Sequence, residues 1–233
     1  MTARAGDPGL GEEVSVVALV ASGGGLDAVS RVLGPLPEGF AAATLVLIHQ
    51  APDRVSRLVE ILGRRCALPV VAAEHGGTLR ACRVVVAPPG QHTLITPGLG
   101  IALIASGAFP PSRPSADLLL TTLAVAVGGR AIAVVLSGGG HDGATGATAI
   151  HAFGGTVLAT DEPSSREFSM PLAAIKRDDA VDDIVALDDV ADRLIELVGT
   201  FSALRSPSFV LRRRYLPPMG ADRLREERLM GLV

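Results

Sequence analysis

The chain has 233 residues, 48% of them hydrophobic and 19% charged, which is ample apolar material for the core of one large domain or two small ones. Only 3% are aromatic and the net charge is −3, which counts against a stacking platform for single strands and against a general DNA-binding surface, so no nucleic-acid partner is expected. Two cysteines, Cys66 and Cys82, make neither a disulfide framework nor a metal-ligand cluster; they read as buried free thiols of a cytoplasmic protein, with no metal or cofactor expected.

Residues 1–13 carry no apolar h-region of a signal peptide and read as a disordered lead-in. The stretch 14–33, VSVVALVASGGGLDAVSRVL, is a buried strand, a glycine turn at Ser22-Gly23-Gly24-Gly25, and a helix marked by Leu26, Val29, Val32 and Leu33. Pro35 and Pro37 end that helix. Residues 43–49, ATLVLIH, form a second apolar strand that finishes on a histidine, and Val55, Leu58, Val59 and Leu62 mark a second helix. Short strands are expected at 69–73 and 83–87, and a β-hairpin pairs 93–95 with 100–104 around Pro97-Gly98. A proline-bearing loop covers 105–114, and Ser115 caps a helix that runs through Val127. Residues 131–136, AIAVVL, are another buried strand, followed by the glycine-rich turn SGGGHDGATG at 137–146 and a helix to Phe153. A strand at 156–159, a loop at 161–169, a short helix from Met170 to Lys176, a strand at 182–186 and a closing helix at 188–201 complete the fold. No apolar run is long enough to span a bilayer, so no membrane insertion is expected.

This alternation predicts a doubly wound α/β domain: a mostly parallel sheet with helices on both faces and one antiparallel hairpin. The domain occupies 14–201, and an Arg/Pro-rich C-terminal extension follows at 202–233, with Arg212, Arg213 and Arg214 as a basic cluster.

Three polar residues sit at the C-terminal ends of apolar strands: Ser22, His49 and Asp142. In a parallel sheet all such ends share one edge, so the three can converge, and their types are those of a Ser-His-Asp triad. Backbone N–H groups near Gly23 and Gly139 are candidate oxyanion donors. The chain order differs from the Ser, Asp/Glu, His order of α/β-hydrolases, and the serine is not in a G-x-S-x-G elbow. Each residue also has a structural reading. Ser22 can cap a helix, Asp142 can cap a helix or make a turn, and His141 is a rival base. His92, after Pro88-Pro89-Gly90, reads as a turn residue, while His75 and His151 show no context.

Two other functions compete. Residues 23–28, GGGLDA, fit the dinucleotide pattern G-x-G-x-x-A after a strand. That fingerprint expects an acid at the end of the second strand, where this chain has His49. The second competitor is a non-catalytic signalling module that keeps the fold; the intact set of three residues counts against it.

The turn ASGGG at 21–25, the strand end LVLIHQAP, the turn LSGGGHDGATG and the segment FSMPLAAI together resemble the catalytic domain of the CheB protein-glutamate methylesterases. That family carries an AST-GG turn, a QHMP turn, a TGMGNDGA turn and an FGMP segment in the same order. Arg113-Pro114-Ser115-Ala116-Asp117 is similar to its RPSVD segment, and Ala87-Pro88 with His92 to its APG-x-x-H stretch. The resemblance covers about residues 14–200. It implies hydrolysis of glutamate γ-methyl esters, and deamidation of certain glutamines, on chemoreceptor-type partners. It also implies Ser22 as nucleophile, His49 as base and Asp142 as orienter, with Gly23 and Gly139 as oxyanion donors. Met170, Arg113 and His141 are then placed around the substrate pocket. Gly139, His141 and Gly23 stand where the family has Met, Asn and Thr. Residues 1–13 hold no receiver domain of the kind the family usually carries, so the chain is expected to be active without a phosphodonor.

Overall fold

The computed structural model describes residues 14–51, 55–105 and 114–204. The lead-in at 1–13, Arg113 and the segment 205–233, including the cluster at Arg212, Arg213 and Arg214, lie outside the described residues.

The first half of the chain alternates β1 (Ser15–Ala21), α1 (Gly25–Leu33), β2 (Ala42–Ile48), α2 (Leu58–Gly63), β3 (Val70–Ala72) and β4 (Arg83–Val86). The hairpin β5 (Gln91–Thr96) and β6 (Gly100–Ala105) leads to α3 (Ala116–Val127). Then come β7 (Ala131–Val135), α4 (Ala144–Ala152), β8 (Thr156–Thr160), α5 (Ser169–Ile175), β9 (Asp183–Val185) and α6 (Val190–Leu204).

Seven strands form one sheet in the order β3-β4-β2-β1-β7-β8-β9, and every pairing in it is parallel. β1 and β2 are buried along their whole length. That is why they read as unbroken apolar runs rather than as alternating ones: a parallel sheet with both faces covered has no wet side. Val16, Ala18 and Val20 point into a core shared with Leu119, Leu120 and Leu123 of α3 and Ala147 and Ile150 of α4. Val17, Leu19 and Ala21 face the other way, and the buried residues of α1, among them Val29, Val32 and Leu33, stand outside that first core.

From β1 the chain passes to β2, then to the edge strand β3 and back to β4 between them, and it crosses to the other side of β1 to start the second half at β7. The sheet order therefore reverses between β1 and β7. The crevice beyond the carboxyl ends of strands at such a reversal is where open α/β sheets bind ligands. Ser22 follows β1 and Asp142 lies in the turn after β7, one on each side of the reversal.

Four expectations are corrected. Val55 is 93% exposed and precedes α2, which begins at Leu58 because the apolar face is supplied by Leu58 and Leu62. His92 is a strand residue, 3% exposed, because the hairpin packs on α3 and buries it. The thiols of Cys66 and Cys82 are half-buried rather than buried. The closing helix starts at Val190, after a single 3-10 turn at Leu187–Asp189. No described helix is long and apolar enough to cross a membrane.

Candidate active site

Parallel pairing lines up the strand ends. Val20 pairs with Leu47 of β2 and with Val135 of β7, so the residues just beyond all three strands emerge side by side. The main chain continues the register past the strands: the Ser22 N–H donates to the Ser137 carbonyl at 3.0 Å, and the His49 N–H donates to the Ala21 carbonyl at 3.0 Å. Ser22, His49 and the 137–143 turn are thus tied together by backbone before any side chain is considered.

His49 Nε2 lies 2.8 Å from Asp142 Oδ2. Both side chains are largely shielded from solvent, with 16% and 11% of their surface exposed. The remaining lone pairs of Asp142 are filled from the start of α3. Oδ2 accepts the Ala116 N–H at 2.7 Å, and Oδ1 accepts the Asp117 N–H at 3.0 Å and the Ser115 hydroxyl at 3.1 Å. Burial alone would raise the pKa of this carboxyl. The hydrogen bond from His49 and those from the Asp117 and Ala116 amides outweigh it, and the net pKa is lowered from the ordinary carboxylate range. Asp142 is therefore an anion that only accepts, so the proton shared with His49 sits on Nε2 and the lone pair on Nδ1.

Asp142 lies two residues before α4, yet it caps α3. Asp117, in the first turn of α3, returns the favour: its Oδ1 accepts the Gly143 N–H at 2.9 Å and the Gly146 N–H at 2.8 Å at the start of α4. Two helix N-termini thus exchange carboxylates, each satisfying the other's orphan donors. His92 completes the frame. Its Nδ1 accepts the Ser115 N–H at 3.1 Å, behind the residue whose hydroxyl reaches Asp142.

The turn that carries Ser22 and the turn beside it depend on their glycines. Gly24 has φ of 79°, a left-handed conformation that side chains resist. A Cβ on Gly138 would lie 2.6 Å from Met170 Sδ and 2.9 Å from Ser22 Cβ, so the second turn can approach the first only as glycine. Ser137, 2% exposed, ties the pieces together. Its Oγ donates to the Gly23 carbonyl at 2.7 Å and accepts the Glu167 N–H at 3.0 Å.

Gly23 and Gly139 are both exposed, and among the described residues their N–H groups have no hydrogen-bond acceptor. The Gly138 N–H, by contrast, is spent on the Glu167 carbonyl at 2.8 Å. Met170 is fully buried beneath the turns, its N–H on the Gly138 carbonyl at 2.9 Å, so it supports the site from below instead of lining an open pocket. His141 is exposed beside Asp142 and makes no hydrogen bond or ion pair with its carboxylate. Ser137, Asp117, His92 and Glu167 are the site residues that strand-end reasoning misses. Of these, His92 and Asp117 carried a signal through the stretches that resemble APG-x-x-H and RPSVD, and Asp117 also as an acid in the first turn of a helix. The dinucleotide reading finds its ribose position taken by His49, whose ring is engaged with Asp142.

Known proteins share this arrangement at the level of sequence and fold. The family model described as CheB methylesterase matches residues 17–194. The protein-glutamate methylesterase/protein-glutamine glutaminase 2 of Anaeromyxobacter dehalogenans is 38% identical over 193 residues, which is 82% of this chain and 55% of that protein. The protein-glutamate methylesterase FrzG of Myxococcus xanthus is 38% identical, covering 69% of this chain and 48% of its own length. The chain spans about half the length of these curated relatives. The crystal structure of the Thermotoga maritima CheB methylesterase catalytic domain superposes with a TM-score of 0.74 at 29% identity, covering 79% of this chain and 98% of that one. A family match across most of the described domain, on a sheet whose order and strand-end residues suit it, leads to one conclusion: this chain belongs to the CheB methylesterase family.

Proposed function

We propose that the protein is a serine esterase that hydrolyses glutamate γ-methyl esters on chemoreceptor-type proteins and deamidates glutamines at such sites. The observation that carries this reading is the 2.8 Å contact of His49 with a fully hydrogen-bonded, ionised Asp142, beside the serine at the sheet reversal.

In this mechanism Ser22 Oγ attacks the ester carbonyl carbon and its proton passes to His49 Nδ1, the ring nitrogen that Asp142 leaves vacant. Asp142 holds the imidazole tautomer and stabilises the imidazolium without taking the proton. The negative oxygen of the tetrahedral intermediate is met by the N–H groups of Gly23 and Gly139. The intermediate collapses as His49 returns the proton to the methoxy oxygen; the C–O bond breaks and methanol leaves. Water then attacks the acyl-serine with His49 again as base, freeing the glutamate carboxylate and restoring Ser22. With a glutamine substrate the leaving group is ammonia. Ser22 Oγ and His49 make no hydrogen bond in the free protein; such contacts commonly tighten only when substrate is bound.

Methanol release from methylated receptor helices tests the proposal. Wild-type protein is expected to release it and Ser22→Ala is not. Full activity in Ser22→Ala refutes the serine mechanism.

A further inference from the structure

The turn leading into α5 brings two charged residues, Arg166 and Glu167, to the mouth of the site. The main chain there is fixed on both sides. The Glu167 N–H is held by Ser137 Oγ, its carbonyl by the Gly138 N–H at 2.8 Å, and Ser137 Oγ itself holds the Gly23 carbonyl. The Glu167 side chain is thus based on the same hydrogen-bonded unit as the nucleophile turn. Its stem lies over that turn. A Cβ placed on Gly23 would come within 3.1 Å of Glu167 Cγ and 4.0 Å of its carboxyl carbon. Where the family pattern has threonine this chain has glycine, and the stem of Glu167 fills the space in front of it. Glu167 is exposed, and neither it nor Arg166 forms an ion pair among the described residues.

A carboxylate beside Gly23 stands close to the N–H assigned to the developing oxyanion. Two negative charges at that separation repel, and the exposed position weakens but does not cancel the effect. A cation on the substrate, seated against Glu167, removes the penalty and adds an ion pair. We infer that Glu167 is a specificity-determining residue that selects esters with a Lys or Arg beside the esterified side chain; this rests on the esterase reading of Ser22. Arg166 rests its stem on Gly24, with its Cβ 2.9 Å and its Cδ 3.1 Å from a Cβ placed there, one residue further from Ser22. Its stem is seated against the next glycine of the turn instead of Gly23.

The test uses helical peptides that contain one glutamate γ-methyl ester with Lys, Gln or Glu one helical turn away. For wild-type protein, kcat/KM for the Lys peptide is expected to exceed that for the Gln peptide by about 3- to 5-fold, the size of an exposed ion pair, and the Glu peptide to be the poorest. Molar salt compresses the ratio. Glu167→Gln brings the Lys/Gln ratio to about one and turns over the Gln peptide at least as fast as wild type. Glu167→Lys inverts the preference. Arg166→Gln retains it. An unchanged ratio in Glu167→Gln, slower turnover of the Gln peptide by that variant, or loss of the preference in Arg166→Gln overturns the inference. The same peptides are titrated onto Ser22→Ala, with and without Glu167→Gln, to read affinity without turnover. No turnover by wild type refutes the esterase reading, whereas equal affinities for the Lys and Glu peptides on Ser22→Ala refute the role of Glu167.

Discussion

In the proposed mechanism Asp117 touches no reacting atom, and its expected role is to position Asp142. Its N–H fixes Asp142 Oδ1, and its carboxylate pins the Gly143 and Gly146 N–H groups of the segment that carries Asp142. In Asp117→Ala the backbone N–H persists but both accepted bonds vanish. Gly143 and Gly146 are buried, so two donors are left without partners in a dry place. At about 1–3 kcal/mol for each such donor, less what relaxation and entering water recover, the domain loses about 2–4 kcal/mol of stability. The turn bearing Asp142 is then free to shift relative to His49. A displacement on the order of 1 Å costs about 100-fold in rate, so kcat falls by about that factor while KM, set by groups Asp117 does not touch, stays near its original value. Asp117→Asn keeps an acceptor oxygen at the same place and is expected to restore kcat to within a few-fold. Methanol release gives the kinetics, and urea unfolding with circular dichroism gives stability and confirms that the variants are folded under assay conditions. A folded Asp117→Ala with full kcat refutes the positioning argument. An Asn variant as impaired as the Ala variant shows that charge, and not the placement of an acceptor, is what matters.

Ser22→Ala, His49→Ala and the double variant are expected to lose nearly the same activity, because a base without its nucleophile does little; additive losses in the three turnover measurements would break the pairing. In the same assay His141→Asn retains turnover, since the exposed residue makes no hydrogen bond or ion pair with Asp142. Asp142→Asn is expected to lower kcat by about 10³- to 10⁴-fold through the wrong imidazole tautomer. Its pH dependence of stability has a definite sign. The folded-state pKa of Asp142 is depressed, so its contribution is complete above the unfolded carboxylate value of 3.8 and is lost as pH falls through the lower folded value. Acid titrations of unfolding free energy will therefore show a shallower loss below that point in Asp142→Asn than in wild type. Gly138→Ala forces a methyl between Met170 Sδ and Ser22 Cβ, at 2.6 and 2.9 Å. It is expected to cost about 1–3 kcal/mol in thermal or urea unfolding and to reduce turnover by moving Ser22.

The amino-acid sequence by itself marked the strands, the sheet class and all three candidate residues, Ser22, His49 and Asp142. Unbroken runs such as SVVALVA and AATLVLI are what a strand buried on both faces must look like, and Ser22 and His49 stand out because each ends such a run. Parallel pairing then obliges both ends to share an edge. Asp142 was legible as a polar residue after β7, but its direction was not. By position it belongs to α4, and only the packing of α3 against α4 turns it to cap α3 and meet His49, 93 residues earlier in the chain. The same packing decided Asp117, and the seating of the hairpin on α3 buried His92, which looks in the sequence like a residue of a Pro-Gly turn. Ser137 and Glu167 were invisible for a different reason. One lies in a glycine turn and the other in a loop, where no periodicity marks which side chain faces inward. Local pattern reports whether a residue's immediate neighbours are buried. Hydrogen bonds that join segments dozens of residues apart depend on which strand ends up beside which, and the order of strands across the sheet is a property of the folded chain alone.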